Sequence, residues 1–325
     1  MYNIQVERGV NMKKHNLLLL LAFALVGCNL NEDTSSLKIV SPTGAPAIAF
    51  YNHSQNENFE TNSTPTNIIS MMTSSSSKDI VVIDTVSGIK AIEKGAPYKI
   101  AANITFGNFY LVATGNDEDK IMSQDDTIIL FGQNQTPDLL FHYLYGNEFD
   151  SSIEYVSAVS DAAKCLVTGK NLITSSIVDY VFIAQPVLYN VLNNKNASTY
   201  QKAYVYKNIQ EEYSKTTNNM SLVQASVFVK NDSDQRLIKS FLNQLENDIE
   251  NAIKDPNVVK ESMDKISKEE ATSLFGINSD VAKLVLEDNN GIGLGYKKAS
   301  ENKKDIDKYI SLFGLNETNK EIYFK

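Results

Sequence analysis

From Leu37 onward the chain sets short apolar runs between polar breaks marked by Gly, Pro or Ser, the rhythm of strands followed by helices. Residues 37–40 read as a strand, 41–46 as a loop and 47–51 as a short helix opened by Pro46. A second strand is predicted over 59–63, and Thr64 and Pro65 cap and open a helix reaching Met72. The threonine and four serines at 73–77 are too brief a run for a linker and close that helix. Residues 79–84 form a strand whose middle, Ile80-Val81-Val82-Ile83, is unbroken apolar sequence; a strand covered on both faces has this pattern. A helix over 86–94 ends at Gly95. Strands at 98–105 and 109–114 follow, separated by Phe106-Gly107-Asn108.

After a polar stretch at 116–126 the rhythm restarts. Strands are predicted over 127–131, 153–156, 179–184 and 203–206, and helices over 137–145, 160–168 and 186–192. A polar break near Asn218-Asn219 precedes a strand at 224–230. The remainder is helical, over 232–254, 256–264, 268–275, 279–287 and 300–313. The fold class is therefore α/β, two βα lobes joined by a two-segment hinge: lobe 1 over 37–115, lobe 2 over 116–222, and a return to lobe 1 over 223–325. The hinge is expected near 114–127 and 218–225. The repetition lies in the βα rhythm and not in residue identity.

The first 27 residues differ from all this. Lys13-Lys14 precede the apolar run 17–26, too short to span a bilayer as a stable helix, and together they mark a secretory signal. Met12 is read as the start, with residues 1–11 outside the fold. Gly27-Cys28 then resembles a bacterial lipobox. The resemblance implies cleavage before Cys28, acylation of Cys28, and a mature protein held by lipid on the extracytoplasmic face of the cell membrane. Polar residues 28–36 suit a tether between that lipid and the fold.

Without residues 1–27 the chain holds 27 Lys and Arg against 38 Asp and Glu, a net −11. That balance argues against nucleic acid and against electrostatic binding to an anionic lipid surface. A length of about 300 residues exceeds what one core needs and agrees with two lobes. With Cys28 lipidated, Cys165 has no disulfide partner and reads as a small buried hydrophobe. Only His53 and His142 remain once the signal leaves, without the i, i+4 spacing of a zinc helix, so no metal is expected. There is no Gly-x-Ser-x-Gly, phosphate-binding loop or His pair, so neither an enzyme nor a cofactor is expected.

In their order and spacing, several segments resemble the type II periplasmic-binding-protein fold. The resemblance is to the substrate-binding lipoproteins of ABC importers of the nitrate/sulfonate/taurine and thiamine-precursor types. Its carriers are Thr43-Gly44-Ala45-Pro46-Ala47 after the first strand, the strand at 79–82, residues 104–112, the loop 132–137, Asp179 to Pro186, and 224–229. The resemblance implies a monomeric receptor that captures a small molecule between two lobes and passes it to an ABC permease. A surface adhesin or signalling receptor, and a metabolite enzyme on the same fold, are the alternatives.

Ligands of such folds sit beyond the carboxyl ends of the strands, where helix starts offer free N–H groups. Thr43, Gly44, Ala45 and Pro46 occupy such a place, as a binding loop or as a plain strand–helix turn. Thr105, Phe106 and Asn108 precede the expected crossing. Phe106 can stack on a planar ligand and Asn108 can donate and accept, or they are core and turn residues. From lobe 2 the candidates are Gln133, Asn134, Ser160, Asp161 and Gln185, each also explicable as a cap or turn residue. Asp161 can pair with an amine or ring N–H. Arg236 is the one arginine after residue 27, and it lies outside these loops. A neutral or heterocyclic ligand is therefore favoured over a strongly anionic one.

Overall fold

The computed structural model describes residues 32–74, 77–115, 119–197 and 202–325. The signal segment, Cys28 and the first part of the tether lie outside the described residues. Residues 34–325 pack as one unit. Packing begins earlier than the sequence implies: Thr34 is buried and its hydroxyl donates to Gln244 Oε1 at 3.3 Å, so Thr34 already belongs to the fold and not to the tether.

Eleven strands form two sheets among the described residues. The first contains β1 (Ile39–Pro42), β2 (Phe59–Asn62), β3 (Ile80–Asp84) and β4 (Tyr98–Thr105). The second contains β5 (Phe109–Thr114), β6 (Ile128–Phe131), β7 (Ile153–Val156), β8 (Tyr180–Ala184) and β9 (Ala203–Asn208). The chain then returns to the first sheet with β10 (Ala225–Lys230) and β11 (Leu294–Lys298). The orders are β2-β1-β3-β10-β4-β11 and β7-β6-β8-β5-β9. In each sheet three parallel strands are followed by one antiparallel strand delivered from the other half: β10 beside β3, β5 beside β8. The two halves thus repeat one topology and exchange one strand each.

This exchange corrects the expected hinge. Strand β5, read as part of lobe 1, belongs to the second sheet, so the first crossing is Phe106-Gly107-Asn108 rather than 114–127. The largely apolar, fully buried β5 fits a central strand of either sheet, and only its pairing with β8 and β9 decides. The crossing is tight. Gly107 has φ +101°, and a Cβ on Gly293 (φ +61°) would lie 1.9 Å from the Gly107 carbonyl oxygen; there Phe106 N–H donates to Gly293 O at 2.7 Å. Only glycine fits both demands at 293. The second crossing runs from Thr217 to Gln224.

Helices follow the strands: α1 (Ala45–Ile48), α2 (Pro65–Met71), α3 (Thr85–Glu93), α4 (Thr136–Tyr145), α5 (Val159–Thr168), α6 (Val187–Ala197) and α7 (Ile209–Thr216). The C-terminal set is α8 (Gln235–Lys254), α9 (Asn257–Met263), α10 (Lys268–Phe275), α11 (Ser279–Glu287) and α12 (Lys303–Ser311). Three apolar layers hold these together. One outer layer packs Ile39, Val82, Ile104 and Val227 against Ile238, Phe241, Leu245 and Ile249 of α8. A shared inner layer joins Val81, Ile83 and Phe228 of the first sheet to Leu111, Leu130 and Phe182 of the second, with Phe141 of α4 and Ile306, Tyr309 and Ile310 of α12. The other outer layer packs Val112, Ile129 and Val181 on α5 and α6 and contains Cys165, whose thiol burial pushes up from its ordinary value. A buried polar chain pins α12 to the first sheet: Asn302 donates to Asn103, Asn103 to Ser226 Oγ, and the Ser226 and Thr85 hydroxyls bond at 2.6 Å.

Candidate functional site

At the carboxyl ends of β6 and β7 the second sheet opens into a cavity of about 560 Å³. One wall is the loop after β6, with Gly132, Gln133 and Gln135. Gly132 takes φ +68° and its carbonyl receives Gln135 N–H, while Asn134, also at positive φ, donates its N–H to Asp138 Oδ2 at 2.7 Å. Asp138 is buried in the first turn of α4, where a carboxylate suits the helix dipole. Its Oδ1 accepts from Tyr155 Oη at 2.8 Å and pairs with His142 Nδ1 at 2.9 Å. Burial and the Asp138 carboxylate hold the Tyr155 phenol well above its usual range, so it stays a neutral donor. Asp138 thus ties this loop, β7 and α4 together behind the cavity wall.

The floor and second wall come from Tyr155 and Val156 of β7 and from Ser157 and Asp161 at the start of α5. Helix α5 begins at Val159 with Ala158 before it, so neither Ser160 nor Asp161 caps it, contrary to one reading of the sequence. Asp161 sits in the first turn and pairs with the exposed Lys164 at 3.1 Å. The third wall, Leu172 and Ile173, comes from the loop between α5 and β8.

Of the residues predicted from sequence, the cavity brings together Gln133 and Asp161. Asn134 and Ser160 are exposed beside it. Asn108 and Gln185 form a second pair at the first crossing: Asn108 Nδ2 donates to Gln185 O at 2.6 Å and Gln185 N–H to Asn108 O at 2.8 Å. The Gln185 side chain accepts Tyr189 N–H and so caps α6. Phe106 is half-buried on β11, its ring beside Gly295 and 5.2 Å from the Lys297 ammonium. Thr105 is buried, and its hydroxyl and the Asn108 Oδ1 have no hydrogen-bond partner among the described residues.

Thr43, Gly44, Ala45 and Pro46 lead from β1 into the four-residue α1, with Gly44 at φ +107°. Gly276 abuts them: a Cβ there would meet Thr43 Cγ2 at 3.2 Å. Asp84 lies at the matching end of β3 and accepts Ser87 N–H at 2.9 Å; burial pushes its carboxyl up from the ordinary value. Sequence reasoning passed over Asp84, Asp138, Tyr155, Leu172 and Ile173. Asp84 has a visible signal, an acid closing an apolar strand just before a helix. For the others, exposure and partners are decided by tertiary packing. Among the described residues no three His, Cys, Asp or Glu side chains form a metal-sized group.

No protein-family model matches the chain, and no curated protein sequence matches it. Solved structures do. An ABC transporter from Parabacteroides distasonis is 17% identical with a TM-score of 0.66, over 85% of this chain and 91% of that one. The ligand binding component of an ABC-type import system from Staphylococcus aureus, with zinc bound, is 9% identical with a TM-score of 0.61, over 89% and 96%. The periplasmic aliphatic sulphonate binding protein SsuA from Escherichia coli is 12% identical with a TM-score of 0.60, over 85% and 91%. At these identities the likeness concerns the fold, and the chain has the two-lobed periplasmic-binding-protein fold that the resemblance implies.

Proposed function

We propose that this protein is an extracytoplasmic solute-binding lipoprotein that captures a small molecule between its two lobes and delivers it to an ABC-type importer. The observation that carries the reading is the pair of exchanged-strand sheets joined by two short crossings, with a cavity of mixed polar and apolar lining at the strand ends of the second. The chain passes between the halves at Phe106-Gly107-Asn108 and at 217–224, and the halves can rock about those points by sliding along the apolar layer they share. A ligand bridging them stabilises the closed arrangement, a population shift that a permease can read. Contacts between the halves that such a motion would make or break include Tyr110 Oη of β5, which donates to Gly291 O at 2.9 Å, and the Lys308 ammonium of α12, 5.2 Å from the Tyr143 ring of α4.

The role is binding and not catalysis, the protein acts as a monomer, and Cys28 carries the lipid that keeps it near its permease at high effective concentration. The test is a thermal-shift screen of the chain from Asn29 onward against amines, pyrimidine and other heterocycles, alkanesulfonates, nitrate and amino acids. Saturable stabilisation by one class is expected. A broad library that leaves the melting temperature unmoved contradicts the reading. Mass analysis of the N-terminal peptide should find acyl chains on Cys28, and Cys28→Ser should release the protein from the membrane fraction.

A further inference from the structure

The loop between α5 and β8 is built with care and then exposes apolar side chains. Glu154 of β7 turns its carboxylate toward this loop, where Oε2 accepts from Asn171 Nδ2 at 2.5 Å, Thr174 Oγ1 at 2.8 Å and Ser176 Oγ at 2.8 Å. Asn171 is buried, and its Oδ1 accepts Ile173 N–H at 2.8 Å. Main-chain bonds Asn171 N–H to Ser176 O, Ser175 N–H to Asn171 O and Val178 N–H to Gly169 O close the loop on itself. A charged acceptor with three donors is a strong anchor. Yet what it holds in place is Leu172 at 51% exposure and Ile173 at 80%, both on the rim of the cavity.

Opposite them lie Gln133, Ser157 and Asp161. Among the described residues no arginine or lysine lines this cavity, and the cation paired with Asp161 is Lys164, an exposed i, i+3 partner whose hold is weak. We infer that the cavity takes an amphiphilic solute. Its cationic or N–H-donating end replaces Lys164 on Asp161 and bonds Gln133 and Ser157, and its apolar body lies across Leu172 and Ile173. The inference rests on the solute-receptor reading and names the class of solute. The Glu154 anchor gives the apolar rim its purpose: side chains fixed in advance lose little further freedom when the solute covers them.

The experiment is calorimetry on the full chain with n-alkylammonium ions from ethyl to octyl, and with alkanesulfonates of the same lengths. Affinity for the ammonium series should rise about twofold to fourfold per methylene, the transfer effect of burying each group against a partly open rim. In the double variant Leu172→Ser/Ile173→Ser that rise should disappear while the shortest amines bind as before. Both side chains are exposed, so the variant should fold, and its unchanged melting temperature checks this. Asp161→Asn should cost tenfold or more with every amine and leave the length dependence intact.

Sulfonates binding with the same length dependence would overturn the cationic class. Binding of a solute that neither the rim variant nor Asp161→Asn alters would overturn the inference and leave the receptor reading standing. A chain stabilised by no small molecule of any class would remove both.

Discussion

The two halves of this protein share one strand order and put it to different uses. The first sheet carries the thicker apolar cover: α8 contributes Ile238, Phe241, Leu242, Leu245 and Ile249 to one face, and α9, α10 and α11 extend that layer. The second has short helices on its outer face, a cavity at its strand ends, and the loop after α5 that exposes Leu172 and Ile173. The two histidines follow the same division. His53 is buried among Phe50, Phe59 and Phe241, and burial pulls its pKa down to about 4. His142, half-buried on α4, is pulled down by burial, but its bonds to Asp138 and Asp150 outweigh this and raise it. One topology thus supplies both a thickly covered half and a more open one, and the difference lies in what covers the strands.

The largest test of that division is Phe241→Ala, which leaves a cavity in the thicker layer and should cost about 3–5 kcal/mol in urea unfolding. Next comes the junction. Gly293→Ala drives a methyl into the Gly107 carbonyl at a positive-φ site, and a loss of about 2–4 kcal/mol is expected, with both lobes affected because the crossing is shared.

Acid should separate the histidines. Unfolded His53 titrates near the usual ~6.5 and the folded residue near 4, so between these values only the unfolded chain takes up the proton. Stability attributable to His53 is therefore complete above about pH 6.5 and is lost as pH falls toward 4, by on the order of 3 kcal/mol. His53→Leu should flatten that acid limb in a pH series of melts. His142 has the opposite sign: its contribution is complete below the unfolded value and lost as pH rises through the raised folded value, so His142→Gln should weaken the protein chiefly at mildly acid pH. The smallest effect belongs to the cavity rim, where Leu172→Ser or Ile173→Ser should change stability by less than about 0.5 kcal/mol.

Much of the first half is legible in the sequence because its signals are strong and local. Ile80-Val81-Val82-Ile83 allows little but a buried strand, and the helix 235–254 repeats apolar residues at helical spacing over five turns. What sequence alone misses is weakly patterned. Helix α7 buries only Ile209 and Tyr213, and β11 is a Gly- and Lys-bearing edge strand, so neither stands out from a loop. The placement of β5 is a question of pairing partner, which an apolar run does not encode. The site divides the same way: Gln133 and Asp161 are visible because they follow strand ends, whereas Leu172 and Ile173 look like ordinary apolar residues until Glu154 is seen holding their loop outward.

The central claim is that the two halves close on a solute about the crossings at 106–108 and 217–224. Spin labels at Lys239→Cys on α8 and Thr168→Cys on α5, one on each half, measure it directly through the distance between them. The account predicts a broad or longer distribution without solute that shifts to one narrow distance at saturation. An unchanged distribution at saturating, calorimetrically verified binding would contradict it.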